Sequence, residues 1–260
     1  VGPWVGTAIV GLGLVLDPYL LLRLGMLRPH LLAILFFVCL LHALWRASAA
    51  WVFVASALYS WSYHSFYVPW IVMGAYAIAG PGSSHAVIDK KRLRILAWGS
   101  LGVLTGMIVN PHFPGNLLLG IRHLIIALFE AGRVKMDFGV ELIPWSTDRF
   151  IRMYLPFVVV VYGACKQKTQ ASDQLRWVAF LAAIFFVLSA INPRGIEYAV
   201  PVGIVLLALV VEQLKKSVSP KQLKVVAALF VVVCIPRMIG TVAGLERPDQ
   251  AAEKRTTEIL

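Results

Sequence analysis

Long apolar runs recur along this chain, and the polar stretches between them alternate between two kinds. The runs cover residues 1–16, 31–45, 48–60, 65–81, 95–109, 150–165, 175–191, 198–214 and 223–240. One kind of junction holds proline with histidine, asparagine or arginine, and the other holds clusters of lysine and arginine. A bilayer core about 30 Å thick takes roughly 20 apolar residues per helix. The pattern therefore predicts an all-α fold, a polytopic transmembrane bundle of about eight or nine membrane helices.

Composition and charge placement favour a membrane protein over a nucleic-acid-binding one. Of the 260 residues, 59% are hydrophobic and 14% are charged, against about 25% charged in a typical soluble domain. The net charge is +11, but twelve of the 24 basic residues and only three of the 13 acidic ones lie at residue 46 and in 89–94, 166–176 and 212–224. Basic loops stay in the cytoplasm during insertion. We therefore expect a multi-pass membrane protein, with lipid rather than nucleic acid as a partner.

The same pattern divides the chain into segments. Residues 1–243 form the predicted transmembrane helical domain, and 110–149 form one long outer segment within it. The apolar stretch 117–129 is short and carries Arg122 and His123, so we expect a helix that lies in the membrane interface. Residues 244–260 read as the start of a truncated outer segment. Because the chain begins inside an apolar run and stops inside an amphipathic one, we expect a fragment of a longer protein.

The motif from Asn192 to Tyr198 is the most informative of the junctions. Arg194 stands just before an apolar helix, where a guanidinium can bind a phosphate through two hydrogen bonds. Glu197, three residues later, is placed to hold that arginine. The alternative is an arginine that reaches to lipid headgroups, with Glu197 as its surface partner. The spacing alone leaves both interpretations open.

Three histidines lie at junctions of the same kind. The turn from Asn110 to Asn116 presents His112 between prolines, where it can bind a sugar hydroxyl or a phosphate or can simply follow a helix stop. His30 follows Arg28 and Pro29, and His64 follows an aromatic pair of the type found in interfacial belts. None of the three has a second ligand at the i+3 or i+4 spacing of a metal site, so we expect no metal.

No residue stands out as a catalytic base. Asp17 precedes a proline at the end of an apolar run, which is typical of a turn residue. His42 lies within an apolar run and is a candidate because ionisable groups are costly there. The sequence contains neither a phosphate-binding glycine loop nor a dinucleotide fingerprint.

Taken in order, several stretches resemble the GT-C glycosyltransferase superfamily, a group of bacterial multi-pass membrane proteins. The similar stretches are RPHLLAILFF (28–37), ALYSWSYHSFYVPWIV (57–72), GVLTGMIVNPHFPGNLLLGIRHL (102–124), GVELIPWS (139–146) and NPRGIEYAVPVGIVLLA (192–208). No single stretch is diagnostic, and the resemblance rests on the ordered set.

The resemblance implies transfer of a sugar from a polyprenyl-phosphate-linked donor at the periplasmic face, with no cofactor besides that lipid-linked substrate. It places the catalytic aspartate in a first outer loop upstream of Val1, which leaves this chain without its main catalytic acid. By analogy Arg194 contacts the donor phosphate, and His30, His64, His112 and Glu141 line the outer cavity. The full set expected to bind substrate is Arg28, His30, His64, Asn110, His112, Glu141, Arg194, Glu197 and Tyr198. The resemblance fixes neither the sugar nor the acceptor.

Two other functions fit parts of the pattern. A transporter or flippase of a lipid-linked substrate would place ionisable groups near the membrane centre, where only His42 comes close. A non-catalytic membrane scaffold would explain the apolar runs without any use for the histidine junctions. Activity that survives Arg194→Ala and His112→Ala in the full protein would favour the scaffold.

Overall fold

The computed structural model describes residues 30–81, 89–125, 173–191 and 195–215. These ranges are helical, as the sequence predicts. Their seven helices are α1 His30–Trp45, α2 Ala49–Ser62, α3 Tyr67–Ala79, α4 Lys90–Val109, α5 Gly115–Ile125, α6 Asp173–Ile191 and α7 Ile196–Lys215. All of them belong to one compact unit, Leu27–Leu207, except the last residues of α7, which fall to a second unit from Ala208 onward.

Helix ends lie where the sequence contains residues that stop helices. The α3 helix ends at Ala79 before Gly80-Pro81, and α4 ends at Val109 before Asn110-Pro111. Proline has no backbone N–H and disfavours helical geometry in the residue before it, so both stops follow from local chemistry. A helix, α5, is present in the stretch predicted to lie in the membrane interface, and its position relative to a membrane stays a prediction. The predicted runs 1–16, 150–165 and 223–240 lie outside the described residues.

The prediction of eight or nine membrane helices is wrong for the part of the chain that the structure describes. Within it, one helix, Lys90–Val109, is both long and apolar enough to cross a membrane. The apolar helices α1 and α3 have 16 and 13 residues, which corresponds to a rise of about 20–24 Å. A hydrocarbon core is about 30 Å thick. An apolar run indicates that a helix is buried against protein or lipid, but it does not determine how long that helix is.

A tight turn joins α1 to α2 and reverses the chain. The Ser48 N–H donates to the carbonyl oxygen of Ala43 (3.1 Å) and the Ala47 N–H to that of Leu44 (2.9 Å). This pair of bonds satisfies carbonyls that the end of a helix leaves without partners. It requires a left-handed residue at Ala47, whose φ is +50°. Glycine is the usual residue at this position because it has no Cβ to crowd the carbonyl.

We expect Ala47→Gly to raise the free energy of unfolding by about 0.5–1 kcal/mol, because glycine relieves the left-handed strain. Thermal unfolding followed by circular dichroism in detergent measures this. The matched control is Ala97→Gly, in the exposed middle of α4, which should lower stability by about 0.5–1 kcal/mol. If both glycines destabilise the protein, the turn is not strained at Ala47.

The α2 and α4 helices make the most extensive contact between any two described helices. They run parallel, since Gly102 faces Phe53 and Gly106 faces Ala57. A Cβ added at either glycine would overlap the carbonyl oxygen of its facing residue. The two backbones therefore approach each other at two glycines that are four residues apart, a packing used by helices in membranes.

Arg92 ties the start of α4 to the end of α3. Its guanidinium donates to the carbonyl oxygens of Ala77 (3.1 Å), Gly80 (2.9 Å) and Pro81 (3.0 Å). Asp89 caps α4 by accepting from the Arg92 N–H at 2.7 Å. The stretch 89–94, predicted as a cytoplasmic loop, is therefore the capped first turn of a helix, and Arg92 is only 4% exposed.

An aromatic core holds α1, α6 and α7 together. Phe37 packs edge-on against Phe185 and Tyr198, at centroid distances of 5.6 and 5.1 Å. Phe185 also stacks on Tyr198 at 5.5 Å. At the other end of the unit, Tyr76 of α3 meets Trp177 of α6 at 5.7 Å.

These contacts define two ends of the helix bundle, the histidine end and the basic end. The histidine end contains the turn 63–66, the turn 110–114 and the start of α7. The basic end contains Arg46 and the start of α4.

Candidate functional site

Two histidines from distant parts of the chain meet at the histidine end. The Nε2 atom of His64 lies 2.8 Å from Nδ1 of His123, within hydrogen-bonding distance. The rings are nearly perpendicular, with centroids 4.5 Å apart, and the pair is partly buried. A bond of this geometry requires that one ring donates its N–H and the other accepts it.

Local structure brings the two rings together. His64 lies in the short turn between the end of α2 at Ser62 and the start of α3 at Tyr67. The α5 helix packs onto this turn through Gly120, where a Cβ would overlap the His64 carbonyl oxygen and the Phe66 ring. His123 lies three residues later, almost one turn along the same helix face. The small residue at 120 therefore allows the approach that places His123 beside His64.

The pair can present two different sets of hydrogen-bonding groups. When it is neutral, the pair carries two ring protons, one of which lies in the bond between the rings. When it gains a third proton, the pair is a cation. A neutral pair matches a sugar hydroxyl, and a protonated pair matches a phosphate oxygen.

A row of aromatic residues leads from this pair into the core. Tyr63 contacts His64 with a centroid distance of 4.3 Å, and Tyr59 lies 6.4 Å from Tyr63. The Tyr59 and Tyr198 hydroxyls are 2.5 Å apart and share a hydrogen bond between α2 and α7. Both phenols are buried. The row is thus a rigid, neutral support for the histidine pair.

Glu197 lies behind this support. It is 1% exposed and lies in the first turn of α7, next to Tyr198. Carboxylates are rarely buried unless other groups compensate for the lost hydration. Of the two interpretations of Glu197, a residue that holds Arg194 or a surface partner of it, the surface position does not agree with this burial. Arg194 lies outside the described residues, so a contact between the two stays a prediction.

The second predicted turn has a structural role. The Asn110 side chain donates to the Trp61 carbonyl oxygen at 2.6 Å and accepts from the His112 N–H at 2.8 Å. It therefore joins the end of α4 to the end of α2. Asn116 donates to the Met107 carbonyl oxygen at 3.1 Å and caps the same helix. His112 is exposed and is held at the histidine end by these bonds.

The structure assigns the predicted site residues to three groups. His64, Asn110, His112, Glu197 and Tyr198 are all described and lie toward the histidine end. His30 is described only as the first residue of α1. Arg28, Glu141 and Arg194 lie outside the described residues, so the contacts predicted for them stay predictions.

Three residues of the site were not predicted as such. The sequence pattern marks His123 only as a charge in an apolar stretch, predicts Tyr63 as an interfacial aromatic and places Tyr59 in an apolar run. The polar side chain in the middle of the short run 117–129 was a usable signal for His123. No spacing in the sequence relates it to His64, which is 59 residues away.

Within the described ranges, no group of three or more histidine, cysteine, aspartate or glutamate side chains gathers to hold a metal ion. His64 and His123 point a nitrogen at each other at hydrogen-bonding distance, an arrangement that serves proton sharing.

Comparison of the chain with protein-family models, with curated proteins and with solved structures gives no match. The GT-C resemblance therefore stays a prediction.

Proposed function

We propose that this chain belongs to a membrane protein that binds a polyprenyl-phosphate-linked sugar at the histidine end and, in its full-length form, transfers that sugar. The observation that carries the proposal is the His64–His123 pair, which brings two imidazole rings together at this end. Imidazole can hydrogen-bond a hydroxyl and, when protonated, a phosphate. Tyr59 and Tyr198 support it from the core, and His112 lies exposed at the same end.

A membrane location is supported by the outward faces of the helices. Large apolar side chains are exposed on six of the seven described helices. They include Leu32, Leu35 and Val38 on α1, Trp51 and Leu58 on α2, Ile78 on α3, Leu101, Leu104 and Ile108 on α4, Leu118 and Ile121 on α5, and Val187 on α6. Apolar surface on this scale marks contact with lipid or with other protein. Together with the 59% hydrophobic composition, it favours lipid.

The proposed orientation follows from α4. This candidate span begins with Lys90 and Lys91 and ends at Val109, just before Asn110. Because basic flanks stay in the cytoplasm, the histidine end would face the periplasm. A lipid-linked donor would then lie with its phosphate at the interface and its isoprene chain beside the apolar helix faces.

The pair's role is tested by binding of tritiated undecaprenyl phosphate-glucose to the protein in nanodiscs of zwitterionic lipid. We expect saturable binding, with a Kd raised about tenfold or more by the double variant His64→Ala/His123→Ala, since one charge-assisted phosphate contact contributes about that much. His112→Ala should have a smaller effect because that ring lies outside the pair.

Arg94→Gln is the control, because this exposed arginine lies at the basic end and its loss should leave the Kd unchanged. Equal binding by the double variant and the native chain would overturn the proposed site. Movement of the intact lipid-linked sugar across the bilayer, without transfer in the full-length protein, would replace transfer by transport.

A further inference from the structure

A cavity of about 360 Å³ opens at the basic end, far along the bundle from the histidine pair. It lies between the end of α1, the start of α6 and the middle of α7, all within one compact unit. Its walls are aliphatic, with Leu181 and Val202 among them, and its polar part is formed by His42, Arg46 and Trp177. The volume lies within the roughly 300–1,000 Å³ of small-ligand pockets.

The polar groups of the cavity call for a ligand that supplies acceptor atoms. The Trp177 side chain is 1% exposed, and its Nε1 has no hydrogen-bond partner among the described residues. An indole N–H can only donate, and a buried donor without an acceptor is costly. Arg46 adds an exposed guanidinium, which is also a donor. No acidic side chain lines the cavity in the described part of the chain, so an anion meets no like charge there.

The cavity is continuous with an apolar surface. Val38 lines it and is also 45% exposed, and Leu35, one turn away on α1, is 53% exposed. A hydrocarbon chain that lies against this face of α1 can therefore enter the cavity from the side. A methylene group is about as large as a water molecule, whose share of liquid volume is about 30 Å³. The cavity then takes roughly a dozen methylene groups, part of one acyl chain.

We propose that this cavity is a binding site for an anionic glycerophospholipid, which inserts one acyl chain between α1, α6 and α7, places its phosphate on Arg46 and offers an ester carbonyl oxygen to the Trp177 N–H. The turn at Ala47 fixes Arg46 directly beyond the end of α1, at the depth where a headgroup would lie. This site rests on the membrane location proposed above. It is independent of sugar binding, because the histidine pair is at the opposite end.

The test uses the full chain in nanodiscs with increasing mole fractions of dibrominated phosphatidylglycerol or dibrominated phosphatidylcholine. Bromine quenches tryptophan on contact, and the difference between the native chain and Trp177→Phe isolates that one of the eight tryptophans. We expect half-maximal quenching of Trp177 at about fivefold lower mole fraction of the anionic lipid, the effect of one arginine near such a headgroup.

Two variants separate the parts of the site. Arg46→Gln, at an exposed position, should remove the preference between the two lipids, whereas Lys91→Gln, an exposed cation that does not line the cavity, should preserve it. Val202→Phe fills the cavity and should abolish saturable quenching by either lipid.

The proposal is overturned by equal quenching with both lipids in the native chain, or by a preference that survives Arg46→Gln. Quenching by a brominated fatty acid but by neither phospholipid would also overturn it. The sugar-lipid assay remains a separate readout, so a failure here leaves the histidine site standing and the reverse also holds.

Discussion

Arg92→Met is expected to lower the free energy of unfolding by about 3–5 kcal/mol, the usual cost of breaking a buried, charge-assisted network. The methionine side chain is apolar and of similar length, so it fills the space but donates nothing. The carbonyl oxygens of Ala77, Gly80 and Pro81 would then lose their donor where little water reaches them. Thermal and denaturant unfolding in detergent, followed by circular dichroism, measures the loss.

Arg94→Met is the matched control. Arg94 belongs to the same helix and the same basic cluster but is exposed, so its replacement should change stability by less than about 0.5 kcal/mol. Arg92→Lys should restore only part of the loss, because an ammonium cannot span three carbonyls as a planar guanidinium does. Equal effects at positions 92 and 94 would show that the cluster acts through charge alone.

Arg92 and Arg94 have similar sequence surroundings but different burial, and the sequence pattern does not predict this difference. One basic cluster in the sequence contains Lys90, Lys91, Arg92 and Arg94. The pattern predicts the same position, a cytoplasmic loop, for all four. Only the tertiary arrangement turns Arg92 inward, because the end of α3 needs donors and Arg92 lies on the face of α4 that meets it. The helix stops at Gly80-Pro81 and Asn110-Pro111, by contrast, depend on local backbone chemistry and were predictable.

The sequence likewise predicts some residues of the candidate site but not the contacts between them. His64, His112 and Tyr198 were predicted because each lies in a junction that a sequence pattern marks. Their partners were not predicted, because a hydrogen bond between His64 and His123, or between Tyr59 and Tyr198, joins positions 59 or 139 residues apart. Such pairs arise from helix packing, for which a single sequence gives no distance. The same holds for the cavity at the basic end, which three separate helices enclose.

Gly106→Ala is expected to lower the free energy of unfolding by about 1–3 kcal/mol, as overpacking does in a tight interface. The added methyl group would overlap the Ala57 carbonyl oxygen. That oxygen is part of the α2 backbone, so relief requires the two helices to move apart. Because the same contact holds the ends of α2 and α4 together, we also expect the Asn110–Trp61 bond to weaken.

Gly74→Ala is the matched control, since it makes the same substitution inside another helix. A Cβ at Gly74 meets nothing within 4 Å, and alanine is the better helix former by about 0.5–1 kcal/mol. We therefore expect Gly74→Ala to raise the melting temperature and Gly106→Ala to lower it, with the double variant Gly102→Ala/Gly106→Ala lowest of all. Opposite signs from one chemical change can come only from the space around each glycine. If Gly106→Ala also stabilises the protein, α2 and α4 are not held at close backbone contact.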